Sequence, residues 1–369
     1  MNGELKRMNN LIKILNSVIT RTFKIRVKPK VLQLPITGKC NSRCKTCNIW
    51  KCKAQNDLSA EKLREAFKDD YFSKIVAVGI NGGEPFLHSD IEKIIDSVLC
   101  LKQIRDIYII SNGIIKDRTL TKLKDIKSRC ESNNVRLHMT ISIDGVSEVH
   151  ELVRGILGSF EKSFTTLQIM ARNPSEYCDT ISAGTTISLD NVENIVSTRT
   201  FLNLNKINQN YHLAVPNKRI KTFECADYSV LRGKRATMLA REFFFGNFKY
   251  ASSLKESLLA FQNYYYLISG GERRISTCNY LRSDITIDEN LDVYLCATAS
   301  NKVGSLVENS LSEIVQSPAV YNEEKRIEKM CDSCGHYLNQ PTFKGIFLFT
   351  KEKLKPAVWY WYKIKCLLF

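Results

Sequence analysis

Cys40, Cys44 and Cys47 stand in the run Cys-Asn-Ser-Arg-Cys-Lys-Thr-Cys, directly after the apolar stretch Val31-Leu32-Gln33-Leu34-Pro35-Ile36. With 13 cysteines in 369 residues, chance supplies only on the order of 0.02 matches to this C-x3-C-x2-C spacing. The spacing puts three thiolates on one short loop. A structural zinc site takes four ligands, and so does an ordinary iron–sulfur cluster. Three thiolates on a cubane leave one iron open to a further ligand, and chemistry becomes accessible there. The alternative is a zinc site whose fourth ligand lies elsewhere in the chain.

A second set comprises Cys278, Cys296, Cys331 and Cys334. Between the first two, Ser283–Leu295 reads as a hairpin turning around Asp288–Leu291. A short helix, Ser310–Gln316, precedes Cys331-Asp332-Ser333-Cys334. A hairpin and a C-x2-C knuckle can converge four thiolates into a closed tetrahedral site, which zinc satisfies as well as a cluster does. A fully ligated cluster cannot take substrate without losing a thiolate, so its natural work is electron transfer. Cys52, Cys100, Cys130, Cys178, Cys225 and Cys366 read as core or incidental residues.

Loops that present such groups need a frame. Strand-like runs occur at 31–36, 75–80, 107–110, 136–143, 181–187 and 211–215. Helical patterns lie between them at 59–68, with Ser59 as N-cap, and at 89–101, 118–130, 159–171 and 192–204. Six β/α units in a row predict an α/β fold with parallel strands and right-handed crossovers, closed into a partial or full barrel. Ligands in such folds sit at the carboxyl ends of the strands. There the chain places Asn81-Gly82-Gly83-Glu84-Pro85, Ser111-Asn112-Gly113 and Ser142-Ile143-Asp144-Gly145, followed by Arg154. The glycines allow close backbone approach and Glu84 offers an acceptor suited to an ammonium group. Ser142 and Asp144 share one face and could hold a ribose diol, and Arg154 could pair with a carboxylate. Each is weak alone, since Gly-Gly and Pro also make plain turns. Their repetition at strand end after strand end is the signal.

On these residues the chain resembles a radical S-adenosylmethionine (SAM) enzyme over roughly residues 31–220. The resemblance implies a partial (β/α)6 barrel and a [4Fe–4S] cluster held by Cys40, Cys44 and Cys47, with SAM on the open iron. It implies reductive cleavage of SAM to a 5′-deoxyadenosyl radical. Gly82, Gly83, Glu84 and Pro85 match the motif that receives the SAM amino group, Ser142 and Asp144 the ribose positions, and Arg154 the carboxylate partner. The residue before the third cysteine is often aromatic and covers the adenine; here it is Thr46. The second cysteine set resembles the auxiliary-cluster domain called twitch, or its longer relative SPASM, and its count suits one auxiliary [4Fe–4S] cluster. A glycine common five residues before the second hairpin cysteine is replaced by Leu291, which leaves Asn290 to supply the positive φ of the turn.

The domains expected are 1–30, a basic amphipathic helix; 31–220, the barrel; 221–275, a helical linker; 276–340, the auxiliary-cluster domain; and 341–369, a basic aromatic tail. The net charge of +16 sits mostly at the ends: residues 1–30 carry eight Lys/Arg against Glu4, and residues 344–369 carry six Lys against Glu352. The near-neutral middle argues against a catalytic channel built to track nucleic acid. Leu5, Met8, Leu11, Ile12, Leu15, Val18 and Ile19 form a helical stripe, and the tail reads Trp359-Tyr360-Trp361-Tyr362-Lys363. Such ends suit peripheral contact with an anionic membrane or packing on the barrel. With neither a signal peptide nor a spanning run, the expected location is the cytoplasm.

An electron-accepting cluster favours net oxidation. The expected activity is therefore a radical oxidoreductase acting on a small polar intermediate, sugar- or cyclitol-like, fed by a reductant such as flavodoxin or ferredoxin. The alternative is a maturase of a ribosomally made peptide. About 30 residues before the first strand leave no room for a leader-binding domain, which weighs against it. A protein with two zinc sites would explain the cysteines but not the strand-end motifs. No catalytic base is singled out by the sequence.

Overall fold

The computed structural model describes residues 26–52, 56–222, 226–280, 282–336 and 342–354. The N-terminal stripe at 5–19, the tail from Trp359, Cys225 and Cys366 lie outside these residues.

The six expected strands form as β1 (Val31–Thr37), β2 (Ala77–Gly82), β3 (Asp106–Ser111), β4 (Arg136–Ser142), β5 (Thr180–Ile187) and β6 (Gln209–Leu213). Neighbours pair in parallel and in sequence order. Helices α1 (Ala60–Ala66), α2 (Ile91–Leu99), α3 (Lys116–Ser132), α4 (Glu148–Arg154), α5 (Ser159–Arg172) and α6 (Ile195–Leu204) fill the connections. Ser59 caps α1 by accepting from the Lys62 amide. α4 is an element the sequence did not announce. It ends where Gly155 turns left-handed at φ +66°, and a Cβ there would lie 2.5 Å from the Arg43 carbonyl oxygen.

Strand alternation sorts the sheet into two unlike faces. Leu32, Leu34, Val78, Ile80, Ile107, Ile109, Leu137, Met139 and Ile141 are almost wholly buried against the helices. The other face carries Gln33, Asn81, Tyr108, His138, Thr140, Ser142, Thr186, Asn210 and His212. A closed barrel would pack such a face with branched apolar residues. Here it is polar and stays open enough for ligands.

Beyond β6, α7 (Lys234–Tyr250) and α8 (Leu254–Ile268) form a helical layer around Phe243, Phe244, Phe248, Phe261 and Tyr266. The hairpin expected at 283–295 is present as β7 (Asp284–Ile287) and β8 (Asp292–Tyr294), and β9 (Lys302–Ser305) adds a third strand. The left-handed residue of the turn is Leu291 itself, at φ +63°, and not Asn290. Leu291 is 3% exposed, so its packing offsets the strain of that conformation. β7 pairs in parallel with β1, which makes one nine-stranded sheet in the order β6-β5-β4-β3-β2-β1-β7-β8-β9. α9 (Leu311–Gln316), held by a Ser310–Glu313 capping box, α10 (Pro318–Cys331) and α11 (Phe343–Lys353) are the last elements among the described residues.

Candidate active site and auxiliary cysteine site

The loop carrying Cys40, Cys44 and Cys47 leaves β1 and is fastened on three sides. Gly83 donates its amide to the Thr37 carbonyl and Glu84 its amide to that of Lys39, both at 2.8 Å. A Cβ on Gly83 would stand 2.0 Å from the Lys39 oxygen; only glycine admits this contact. Arg43 and Lys45 donate their amides to the carbonyls of Arg154 and Val153 at the end of α4, at 2.8 and 3.0 Å. The Asn112 side chain donates to Asn41 Oδ1 at 2.6 Å and Ser42 Oγ at 3.2 Å.

Glu84 lies behind this loop. Its carboxylate accepts from Ser111 Oγ (2.8 Å), the Asn112 amide (2.7 Å) and the Phe86 amide (3.2 Å). Burial raises its pKa, and these bonds oppose the rise. Glu84 therefore holds Asn112, and Asn112 holds the cysteine loop. Pro85 begins the short turn beyond it.

A cavity of about 230 Å³ opens against the loop. All three cysteines line it, with Gly82 and Gly83, Ser142, Asp144 and Arg154. Strands β2 to β6 all contribute to its wall, so the sheet curves around it. Glu84 and Pro85 are not on the wall. Asp144 is bound on both oxygens: Arg154 Nη2 donates to one at 2.8 Å and the Thr186 amide to the other at 2.8 Å. Arg154 also points Nη1 at Cys44 Sγ, 3.5 Å away, while its buried Nε has no hydrogen-bond partner. Thr46 lines the cavity beside Ile49, which is a buried apolar residue.

The wall also holds Asn81, Asn112, Thr140, Thr186 and His212. His212 was not foreseen. Its Nε2 is 2.9 Å from Thr186 Oγ1. The ring is exposed to the cavity yet enclosed by protein, and this enclosure lowers its pKa; Asp144 opposes the shift and Arg154 adds to it. Its sequence signal was faint: polar residues at alternate positions near the ends of β5 and β6, where a packed barrel would be apolar.

The donor set fits an iron–sulfur cluster. Without metal, burial pushes Cys40 up to about 12 and Cys47 to about 11. These thiols are protonated at neutral pH until a metal displaces the protons. The Ser42 amide donates to Cys40 Sγ at 3.4 Å, a contact that tunes cluster-bound sulfur. The buried Arg154 Nε is a hydrogen-bond donor left without a partner on the guanidinium that also reaches Cys44 Sγ.

The second cysteine set also converges. Cys278, Cys296, Cys331 and Cys334 surround a void of only about 20 Å³, walled by Arg274, Tyr280, Thr298, Ile327, Met330 and His336. Burial pushes Cys278 up to about 11 and Cys331 to about 12. Amides of Thr298 and Ala299 donate to Cys296 Sγ, and that of His336 to Cys334 Sγ. Among the described residues no three His, Cys, Asp or Glu side chains are arranged to hold a single metal ion. All four thiols line the wall of this void. A larger groove of about 690 Å³ between α1 and residues 306–312 contains no thiol and stands apart from both sites.

Residues 34–198 match the radical SAM superfamily, and residues 278–335 match the SPASM iron–sulfur cluster-binding domain. This chain carries a radical SAM domain followed by a SPASM domain. The two domains imply a SAM-ligating [4Fe–4S] cluster and an auxiliary cluster. Among curated proteins it is similar to a probable GTP 3′,8-cyclase of Methanocaldococcus jannaschii, 28% identical over 145 residues, 37% of this chain and 48% of that protein. It is also similar to the subtilosin biosynthesis protein AlbA of Bacillus subtilis, 27% identical over 37% of this chain and 29% of that one. The matches thus span about half or less of these relatives. In fold it resembles anSMEcpe with bound AdoMet (TM-score 0.61, 15% identity, 88% of this chain and 98% of that one). It likewise resembles Streptococcus suis SuiB bound to the precursor peptide SuiA (TM-score 0.56, 15% identity, 86% and 71%).

Proposed function

We propose that this enzyme oxidises a small, neutral, hydroxyl-bearing substrate, sugar- or cyclitol-like, by hydrogen abstraction and then loss of a proton and an electron. The observation that carries the reading is a neutral polar cavity and a closed four-thiol site built on one continuous sheet. When loaded, the three-thiol site supplies reductive cleavage of SAM and a 5′-deoxyadenosyl radical.

The protein's own side chains select the substrate and take up its proton. The charges on the cavity wall, Asp144 and Arg154, neutralise each other. The remaining polar groups, Asn81, Asn112, Thr140, Ser142 and Thr186, suit hydroxyls or amides. A triphosphate calls for several basic groups; among the described residues that line this cavity the one guanidinium or ammonium is that of Arg154, paired with Asp144, which weighs against a nucleotide such as the GTP in the cyclases' name. His212 is neutral and open to the cavity, and it accepts the substrate hydroxyl proton. In this reading a hydroxyl-bearing carbon would lose its hydrogen atom to the radical that bound SAM supplies, His212 would take the hydroxyl proton, and a group held by Cys278, Cys296, Cys331 and Cys334 would accept the remaining electron, leaving a carbonyl. A low-potential reductant such as flavodoxin or ferredoxin starts the cycle.

Peptide maturation is the second reading. The names of AlbA and of the peptide-bound SuiB structure support it, as does the amide-compatible wall. Anaerobic turnover with SAM and dithionite against polyols, cyclitols and serine- or cysteine-containing peptides separates the two. A polyol product lighter by two hydrogens, formed together with 5′-deoxyadenosine, supports the first. Turnover of peptides alone replaces it with the second.

A further inference from the structure

Helix α11 is apolar on two sides. Its inner side packs Phe349 edge-on against Phe248 and Phe261, at 5.5 and 5.6 Å between ring centroids. Two lysines fix it there. Lys353 Nζ donates to the Phe248 carbonyl at 2.8 Å and to Ser257 Oγ at 3.0 Å, while Lys249 Nζ donates to the Glu352 carbonyl at 2.9 Å. Each ammonium thus meets carbonyls at the C-terminal end of the other helix, where the helix dipole favours a cation.

With the inner side fixed, the outer side is presented to solvent. Phe343, Ile346, Phe347 and Leu354 are 74%, 47%, 67% and 74% exposed. At 3.6 residues per turn they fall on one arc, bordered by the exposed Lys344 and Lys351. Single exposed apolar residues are ordinary, but a contiguous stripe marks a contact surface.

We propose that this stripe docks α11 in the plane of a membrane surface carrying anionic headgroups. Charge chooses the occupant. Residues 342–354 carry three lysines against Glu352, and residues 355–369 add Lys355, Lys363 and Lys365 without an acid, among Trp359, Tyr360, Trp361 and Tyr362. Lysines favour anionic lipid, and Trp and Tyr favour the headgroup level. A second copy of this chain would bring the same positive charge to the same face and be repelled. No helix among the described residues is long and apolar enough to cross a membrane, so the contact lies along the surface.

The test is co-sedimentation of the reconstituted full chain with vesicles of phosphatidylcholine alone or mixed with phosphatidylglycerol. Wild type binds the mixed vesicles, more weakly as salt rises, and leaves the neutral ones in solution. The F343S/F347S variant loses about tenfold or more in partitioning, and K344E/K351E loses a similar factor on mixed vesicles. Both keep wild-type iron content, because neither pair touches a cysteine site. Wild type that ignores mixed vesicles, or variants that bind as wild type does, would overturn the proposal. So would a wild-type dimer that becomes monomeric in F343S/F347S, which assigns the stripe to a second copy.

Discussion

The two cysteine sites solve opposite problems. The first gathers three thiols from one loop, residues 40–47, and faces a cavity of about 230 Å³. The second gathers four thiols from residues as far apart as 278 and 334 and closes on about 20 Å³. An open site can exchange a ligand and therefore do chemistry. A closed one can only accept or release electrons. The first is local in sequence and depends on its neighbours for position, through Gly83, Glu84, Asn112 and α4. The second is dispersed in sequence and is assembled by its fold.

Removing thiols should separate the two most sharply. Alanine at Cys40, Cys44 and Cys47 should lower iron from about eight to about four per chain and abolish formation of 5′-deoxyadenosine. Alanine at Cys331 and Cys334 should lower iron by the same amount yet leave SAM cleavage under excess dithionite. Loss of cleavage in both variants would mean that the sites are not separable. Glycine substitutions test the dependence on neighbours. Gly83→Ala meets a backbone oxygen that cannot retreat, and should cost about 3 kcal/mol or more and most of the first cluster. Gly335→Ala meets the Tyr266 ring at 2.7 Å, which can shift, and should cost about 1–2 kcal/mol with iron retained. Denaturant midpoints and iron analysis report both.

Glu84→Gln removes the charge from three hydrogen bonds and should cost about 1–2 kcal/mol. Iron at the three-cysteine site should become labile to chelators, while the auxiliary site is unaffected. The smallest effect expected is at Glu323, beside the second site. Burial raises its pKa, but hydrogen bonds from Arg326 and Asn301 outweigh that and bring it down to about 2. A carboxylate depressed in the folded state stabilises above its unfolded pKa of about 4.5, and the gain fades as pH falls toward 2. Glu323→Gln should therefore lose about 1 kcal/mol at pH 7. The deficit should shrink below pH ~4.5 in chemical unfolding curves.

Much of the barrel was legible because its apolar alternation faces helices on one side only. Leu137, Met139 and Ile141 announce β4 as surely as Cys40, Cys44 and Cys47 announce the loop. Gly82, Gly83, Ser142, Asp144 and Arg154 reach the same cavity because strand ends converge in any such fold. Other features depended on contacts between distant residues. Glu84 looks like a ligand group until Ser111 and Asn112 are seen to occupy it. His212 is an ordinary strand residue until the sheet curves around it. β9 has four residues and is defined by its pairing with β8. Leu291 in a left-handed turn runs against local preference, and only its burial explains it.

The parallel pairing of β7 with β1 also bears on how the chain is made. Val31 finds its partner Asp284 only after the long stretch between them has left the ribosome. Until then β1 presents a bare, apolar edge, the kind of surface on which nascent chains adhere to one another. A fragment ending before residue 276 would keep that edge permanently. It should accumulate in inclusion bodies although every cysteine of the first site is present.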